Sequence, residues 1–447
     1  MQEGSMRKEG YMCKEGCMHG NKHRSVFIRI LLAFVLVWGS ILAPSASAQA
    51  DIRGSDVVSG NPIGEGHPTI PDAPDIVADY AALCTKSGTV LWERNATSQV
   101  PMASTTKIMT ALVALEKVSP DTQMVVTYGA AWTEGSSANL WVNDAVSLKD
   151  LIICMMVPSG NDAAVAIAEN VAGTEYAFTK MMNDKAAELG MTGTHFSNAS
   201  GLWDEDNYTT ARDYLILTRV AMSNDLFRSV VAIQEVTLWI DDRELYYAST
   251  NYLLDELEGA NGVKTGFTDA AGYCLVASAK RNSFEFYAVV FHSSSEWQRF
   301  EDAKTLLEWG FAHYRTVELI NSAKPVADLA CLSWIDKTVP VVAESPISVN
   351  LFDYDGQITQ EVTLIEREGR IKKGEVVGSV IWTQRGDVIA HVDLLATEDV
   401  PAPNFWEWLG IWWNRFIGGF FGDPAHATST TILPPVFDLQ IPNVNNR

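Results

Sequence analysis

The sequence predicts an α+β fold: a helical cluster packed on one antiparallel sheet, then a small all-β sandwich domain and a C-terminal amphipathic helix. Three observations carry this. Residues 107–189 hold successive apolar repeats at spacings of three and four, each closed by cap or stop residues. Strand signals stand on both sides of that stretch, which marks helices inserted into an antiparallel sheet rather than alternating βα units. Beyond residue 319 the chain breaks into short β-branched runs separated by Asp-Gly, Glu-Gly and Arg-Gly turns.

At 447 residues, with 47% apolar and 20% charged side chains, the chain has ample material for about three domains. Its net charge of −22, with no basic stripe, excludes a nucleic-acid partner. The acidic balance serves solubility and names no substrate.

The chain opens on a targeting segment. Arg7, Lys8, Lys14, Lys22, Arg24 and Arg29 precede an apolar run from Ile30 to Leu42, and Ala46-Ser47-Ala48 is a small-x-small cleavage site. A signal peptide over residues 1–48 is expected, with an uncleaved anchor as the alternative; translation starting at Met6, Met12 or Met18 also fits. Cys13, Cys17, His19 and His23 have metal-ligand spacing but lie in the part to be removed, so no metal or other cofactor is expected. The remaining cysteines, Cys84, Cys154, Cys274 and Cys331, are scattered, the first three in apolar company; buried thiols suit them better than a disulfide framework.

Residues 49–74, rich in Gly, Pro and Asp and without periodicity, read as a loose linker. A catalytic domain then spans residues 75–318. Tyr80–Cys84 and Thr89–Trp92 flank a Lys-Ser-Gly turn. Ser104 opens a helix whose apolar positions are Ile108, Leu112 and Leu115. Ser147 and Asp150 cap a helix over 148–156 that Pro158 ends, and Ser159-Gly160-Asn161 makes the loop to a helix over 162–171 closed by Gly173. Residues 174–189 form another helix, stopped by Gly190. After a further helical stretch over 212–223, strands at 273–280 and 284–291 join through Arg281-Asn282-Ser283, and a helix over 296–314 closes the domain. The β-sandwich covers 319–400 with no nucleophile of its own. Residues 404–422 hold Trp and Phe around a narrow polar face, an interfacial rather than spanning pattern, because about 18 residues reach only ~27 Å. Residues 423–447 carry no periodic signal and read as a flexible tail.

Chemistry enters with three short segments in fixed order. Ser104 and Lys107, three apart, emerge on one face of a helix's opening turn. A partly desolvated lysine there favours its neutral form and can take the serine's proton. Ser159 sits at a loop tip, placed to relay a proton to a leaving nitrogen, with Asn161 to orient Lys107 and a substrate amide. Lys264 supplies positive charge for a terminal carboxylate, beside Thr265, and Gly266 lets a peptide approach the strand edge. Each segment alone is a common turn or strand end; together, in this order and in these contexts, they form the Ser-x-x-Lys, Ser-x-Asn, Lys-Thr-Gly set of penicillin-binding proteins and class A β-lactamases.

Met102-Ala103-Ser104-Thr105-Thr106-Lys107-Ile108-Met109-Thr110, Pro158-Ser159-Gly160-Asn161-Asp162-Ala163-Ala164, Thr194-His195-Phe196-Ser197-Asn198 with Gly201-Leu202, and Gly262-Val263-Lys264-Thr265-Gly266-Phe267-Thr268 resemble the low-molecular-mass penicillin-binding proteins that are serine-type D-alanyl-D-alanine carboxypeptidases. The resemblance runs over about residues 75–400 and implies a DD-peptidase/β-lactamase-like fold. It implies an acyl-enzyme on Ser104, Lys107 as base, Ser159 and Asn161 in the proton network, and substrate held by Lys264, Thr265 and Gly266. The oxyanion hole would fall on the backbone N–H groups of Ser104 and Phe267. Its substrates would be peptidoglycan stem peptides, with β-lactams as covalent ligands. Its place would be the outer face of a bacterial membrane, held there by the C-terminal helix. A β-lactamase of the same fold is the second reading, against which stands the lack of a Glu-x-x-Leu-Asn segment after Ser159; a non-catalytic penicillin-binding scaffold is the third.

Overall fold

The computed structural model describes residues 55–63, 70, 72–422 and 426–437. The expected signal peptide, and the cysteines and histidines within it, lie outside the described residues.

The catalytic region is built on seven strands: β1 (Asp56–Val58), β2 (Asn61–Pro62), β3 (Tyr80–Thr85), β4 (Val90–Arg94), β5 (Ala260–Thr268), β6 (Gly272–Arg281) and β7 (Phe284–Ser293). They pair antiparallel in the order β5-β6-β7-β3-β4-β1-β2. The central strands are apolar without alternation because helices cover both faces. Ala82, Cys84, Val276, Val289 and Phe291 face a core shared with α1 (Lys107–Lys117), α2 (Leu148–Met156), α3 (Asn161–Ala172), α4 (Glu175–Glu188) and α5 (Ala211–Ala221). Their neighbours Ala81, Leu83, Leu275, Ala277 and Val290 face the opposite way, onto Phe300, Ala303, Leu306 and Leu307 of α6 (Glu296–His313). The expected α+β architecture is the one found. Cys84, Cys154, Cys274 and Cys331 are buried free thiols.

The linker reading of residues 49–74 is corrected over residues 55–63 by β1 and β2. Ser59 and Gly60 both take positive φ (49° and 80°), the geometry of a two-residue hairpin turn whose right-handed twist suits its strands. The hairpin adds β1 to β4 in the register Asp56↔Arg94. There the buried Arg94 meets Asp56 through Nε–Oδ1 (2.6 Å) and Nη2–Oδ2 (2.9 Å), while its Nη1 donates to the carbonyls of Ile76 (2.8 Å) and Ala78 (3.2 Å). Strands this short leave no periodic trace, and so the segment passes for a linker.

Downstream come β8 (Tyr314–Ile320), β9 (Pro325–Ala330), β10 (Thr338–Ala343), β11 (Ile347–Phe352), β12 (Ile358–Leu364), β13 (Val376–Gln384) and β14 (Asp387–Ala396). Strands β8 and β11 pair with each other; the rest belong to a second seven-stranded antiparallel sheet. Val326, Leu329, Val341, Val380, Trp382 and Leu394 fill its core together with Leu319, Ile320 and Leu351 of the β8–β11 pair.

Helix α7 (Phe405–Phe421) follows. Asn404 and Glu407 form a capping box at its start, and Gly422 in the left-handed region ends it. None of its residues is buried. Ile411 leans on the β-domain core, and Arg415 Nη2 donates to the Leu332 carbonyl at 2.6 Å. Trp406, Trp412, Trp413, Phe416, Phe420 and Phe421 stand exposed. No helix among the described residues is long and apolar enough to cross a membrane.

The flexible-tail reading of residues 423–447 is corrected over residues 426–437, the part of it that the structure describes. Two further strands, β15 (Thr430–Thr431) and β16 (Val436–Phe437), pair with β9 and β12, the two otherwise open edges of the second sheet. The segment between them is pinned by Ile432 N–H donating to Val326 O (2.9 Å) and Gln360 N–H donating to Pro435 O (2.9 Å). β-Branched and aromatic residues on both sides of Pro434-Pro435 suit two short edge pairings and no helix.

Candidate active site

Ser104 does not begin an α-helix directly. It lies in a 3₁₀ turn, Ala103–Thr106, leading into α1. Thr105 and Thr106 tighten that turn by donating their hydroxyls to the carbonyls of Met102 (2.6 Å) and Ala103 (2.8 Å). Lys107, the first residue of α1, is fully buried, and its Nζ lies 2.9 Å from Ser104 Oγ, 2.7 Å from Asn161 Oδ1 and 2.6 Å from the Ser200 carbonyl. None of these contacts is to a carboxylate. Burial first, and the nearby Lys264 charge second, hold the Lys107 amine well below the usual lysine range; Asp162 opposes them.

Asn161 opens α3. Its Nδ2 donates to Glu134 O (2.7 Å) and its backbone N–H to Ser136 O (2.7 Å), so the carboxamide can turn only Oδ1 toward Lys107. Ser159, two residues earlier, takes φ +68° in the sharp bend between α2 and α3 and is nearly buried. Its hydroxyl bonds to neither Ser104 nor Lys107 among the described residues.

Lys264, Thr265 and Gly266 lie on β5, the edge strand of the sheet beside the Ser104 turn. Lys264 is 1% exposed and donates to the Thr265 carbonyl (3.0 Å); burial, then the Arg299 charge, push its amine down to about 7. The Thr265 hydroxyl shares a hydrogen bond with Thr250 (2.6 Å) rather than reaching Ser104. A Cβ on Gly266 would stand 3.1 Å from both Ser104 N and Ala103 Cβ, so only glycine lets the strand lie this close. Gly266→Ala is therefore expected to push the two segments apart and slow acylation by roughly tenfold to a hundredfold with little change in melting temperature. Stopped-flow reaction with a fluorescent penicillin measures this. Phe267, half exposed, packs on Tyr273 with ring centroids 4.5 Å apart and planes tilted by 34°.

Two groups escaped the sequence reading. The Ser200 carbonyl is backbone, and no side-chain pattern announces it. It is delivered by Asn198, whose Oδ1 accepts the Gly201 N–H (2.7 Å), and by Thr110, which donates to Ala199 O (2.7 Å). Arg299 of α6 is 4% exposed and donates from Nη1 to the Gly266 carbonyl (3.2 Å), while its buried Nε has no partner. One signal was available, since Arg299 falls on the inner face of α6 beside Phe300 and Ala303, where a buried charge costs heavily unless it is met; here Glu296 meets it, Nη2 to Oε1 at 3.2 Å, with the Phe300 and Tyr273 rings.

Helices on an antiparallel sheet, with a serine and a desolvated lysine at the start of one helix and a Lys-Thr-Gly edge strand beside them, define the class of active-site serine enzymes that recognise penicillins. The chain belongs to the D-alanyl-D-alanine carboxypeptidase family, whose model matches residues 67–295. The penicillin-binding protein 5 C-terminal domain model matches residues 314–402. Bacillus subtilis D-alanyl-D-alanine carboxypeptidase DacF is 30% identical over 328 residues, 71% of this chain and 84% of that protein. Escherichia coli DacC is 31% identical over 368 residues, 77% and 89% respectively. Among solved structures, Francisella tularensis DacD superposes with TM-score 0.57 at 28% identity, covering 75% of this chain and 96% of its own. Haemophilus influenzae penicillin-binding protein 5 gives 0.55 at 27%, covering 75% and 100%. The expected activity, that of a serine-type D-Ala-D-Ala carboxypeptidase, is thereby supported over the β-lactamase and scaffold readings.

Proposed function

We propose that the enzyme removes the terminal D-alanine from peptidoglycan pentapeptide stems through an acyl-enzyme on Ser104, and that β-lactams acylate the same hydroxyl. The Lys107 amine carries this reading. As a neutral group it has two N–H donors for Asn161 Oδ1 and the Ser200 carbonyl, which leaves its lone pair for the Ser104 hydroxyl. Ser104 Oγ attacks the penultimate carbonyl as its proton passes to Lys107. The oxyanion is received by the backbone N–H groups of Ser104 and Phe267. Lys107 returns that proton through the Ser159 hydroxyl to the departing D-alanine nitrogen as the C–N bond breaks; the now neutral Lys107 takes a proton from the attacking water and gives it to Ser104 Oγ as the ester is cleaved. Lys264, as an ammonium, attracts the substrate's terminal carboxylate, while Thr265 and Gly266 align the peptide along the edge of β5.

Residues 1–48 act as the export signal in this reading, residues 75–318 as the catalytic domain and residues 319–400 as a spacer. Helix α7 lies on the outer face of the cell membrane with its aromatic side in the headgroup region.

The purified protein is incubated with a diacyl-lysyl-D-Ala-D-Ala peptide and with a fluorescent penicillin, beside Ser104→Ala. D-alanine release and a slowly hydrolysed adduct, both absent from the variant, are expected; rapid penicillin turnover, or an adduct without D-alanine release, refutes the reading. For the membrane, replacing Trp412, Trp413, Phe416 and Phe420 with serine is expected to abolish flotation with phosphatidylglycerol–phosphatidylethanolamine vesicles, and undiminished flotation refutes the surface helix.

A further inference from the structure

We propose that Asp162 is a positioning residue for acylation: its buried carboxylate latches residues 137–140 onto the start of α3, and through that segment fixes Asn161 against Lys107. This rests on the roles given above to Ser104 and Lys107. Asp162 is 0% exposed. Its Oδ1 accepts from the backbone N–H of Ala138 (2.9 Å) and of Ala163 (2.9 Å), and its Oδ2 from the Leu140 N–H (3.2 Å) and the Ser137 hydroxyl (2.6 Å). Three of these donors come from a stretch, residues 133–144, that has no helix or strand of its own. The same stretch supplies both the Glu134 and the Ser136 carbonyls that hold Asn161 (2.7 Å each). Rotation of the Asn161 carboxamide, and with it the distance from Oδ1 to Lys107, is therefore set by where that segment stands.

An ordinary cap at a helix start serves its own first turn and stays in water. Asp162 instead spends most of its acceptor capacity on a segment more than twenty residues upstream, inside the protein. Gly160 fits the same arrangement, since a Cβ there would fall 2.6 Å from Asp162 Oδ1. The first turn of α3 favours negative charge at this point. The titratable groups around the carboxylate are Cys154 of α2 and Tyr247 of the 235–248 hairpin, both held protonated by burial, then Lys107 and, beyond it, Lys264. The carboxylate's field thus bears on Lys107 and favours its protonated form.

The test measures stopped-flow acylation by a fluorescent penicillin across pH, per folded molecule as scored by circular dichroism. The proteins are Asp162→Asn and Ser137→Ala, each with and without Asn161→Ala. Asp162→Asn is expected to slow acylation roughly a hundredfold, as a misplacement of about 1 Å can, and Ser137→Ala by less. The acid limb of the pH–rate profile should move to lower pH in Asp162→Asn, which removes the charge, and stay in place in Ser137→Ala, which does not. In the Asn161→Ala background both losses should largely vanish, because nothing remains to be positioned. Unchanged rates in the folded single variants, or losses that multiply independently with Asn161→Ala, overturn the inference. If Asp162→Asn fails to fold, the Ser137→Ala cycle decides alone. A parent chain that forms no Ser104 adduct overturns the functional reading itself, a result distinct from a fast adduct on Asp162→Asn.

Discussion

Lys107→Met is expected to slow acylation of Ser104 by roughly 10³–10⁴-fold, the upper part of the range for losing a general base. Methionine roughly matches the stem of lysine in length and polarity, so the pocket stays filled while the proton acceptor is lost. Lys107→Arg should fail equally, since a guanidinium does not give up its proton at working pH. The sign of the pH dependence follows from the same group. Lys107 can accept a proton only when neutral, and its pKa lies well below the ordinary lysine value because of burial and then Lys264. Acylation therefore rises as pH climbs through that lowered value and levels off above it. Lys264 works in the opposite sense. It attracts a carboxylate only as an ammonium, and burial followed by Arg299 pushes it down to about 7, so KM for the peptide should rise above that pH. Steady-state kinetics between pH 5 and 9 separate the limbs, and acylation that stays fast at low pH would contradict the role given to Lys107.

Asp56→Ala is expected to destabilise the fold by about 3–5 kcal/mol, the usual cost of removing one member of a buried ion pair. Arg94 is 1% exposed, and the two carbonyls it also touches cannot neutralise its charge. At ~2–4 °C per kcal/mol for domains of this size, the melting temperature should drop by about 10 °C. Replacing both partners with apolar residues, Asp56→Leu with Arg94→Met, should recover most of the loss, because no orphaned charge remains. Calorimetry or urea titration reads both, and a single variant as stable as the parent would show that the β1–β2 hairpin contributes little.

How much of this could be read from the chain alone depended on whether the feature repeats along it. Helices α2 and α3 were legible because Ser147, Pro158 and Gly173 punctuate them, and α6 because Phe300, Ala303 and Leu307 recur at helical spacing. Ser104 and Lys107 were legible because three residues along a turn fixes neighbours. Features that need only two or three residues in register were not. Asp56-Val57-Val58 and Thr430-Thr431 carry no period, and their partners lie far away in sequence. The Ser200 carbonyl has no side chain to read, and Arg299 had to be weighed against its apolar neighbours to be noticed at all. Ser159 was found by motif, but its hydroxyl makes no hydrogen bond with Ser104 or Lys107 among the described residues.

The short strands β15 and β16 bear on how the second sheet is completed. Because β15 and β16 occupy the two borders of the second sheet, neither border is covered until residues 430–437 have been made. Until then β9 and β12 each keep one side of the backbone unpaired. A polypeptide stalled or clipped just after α7 would have its catalytic region, yet expose two raw margins for pairing with other chains.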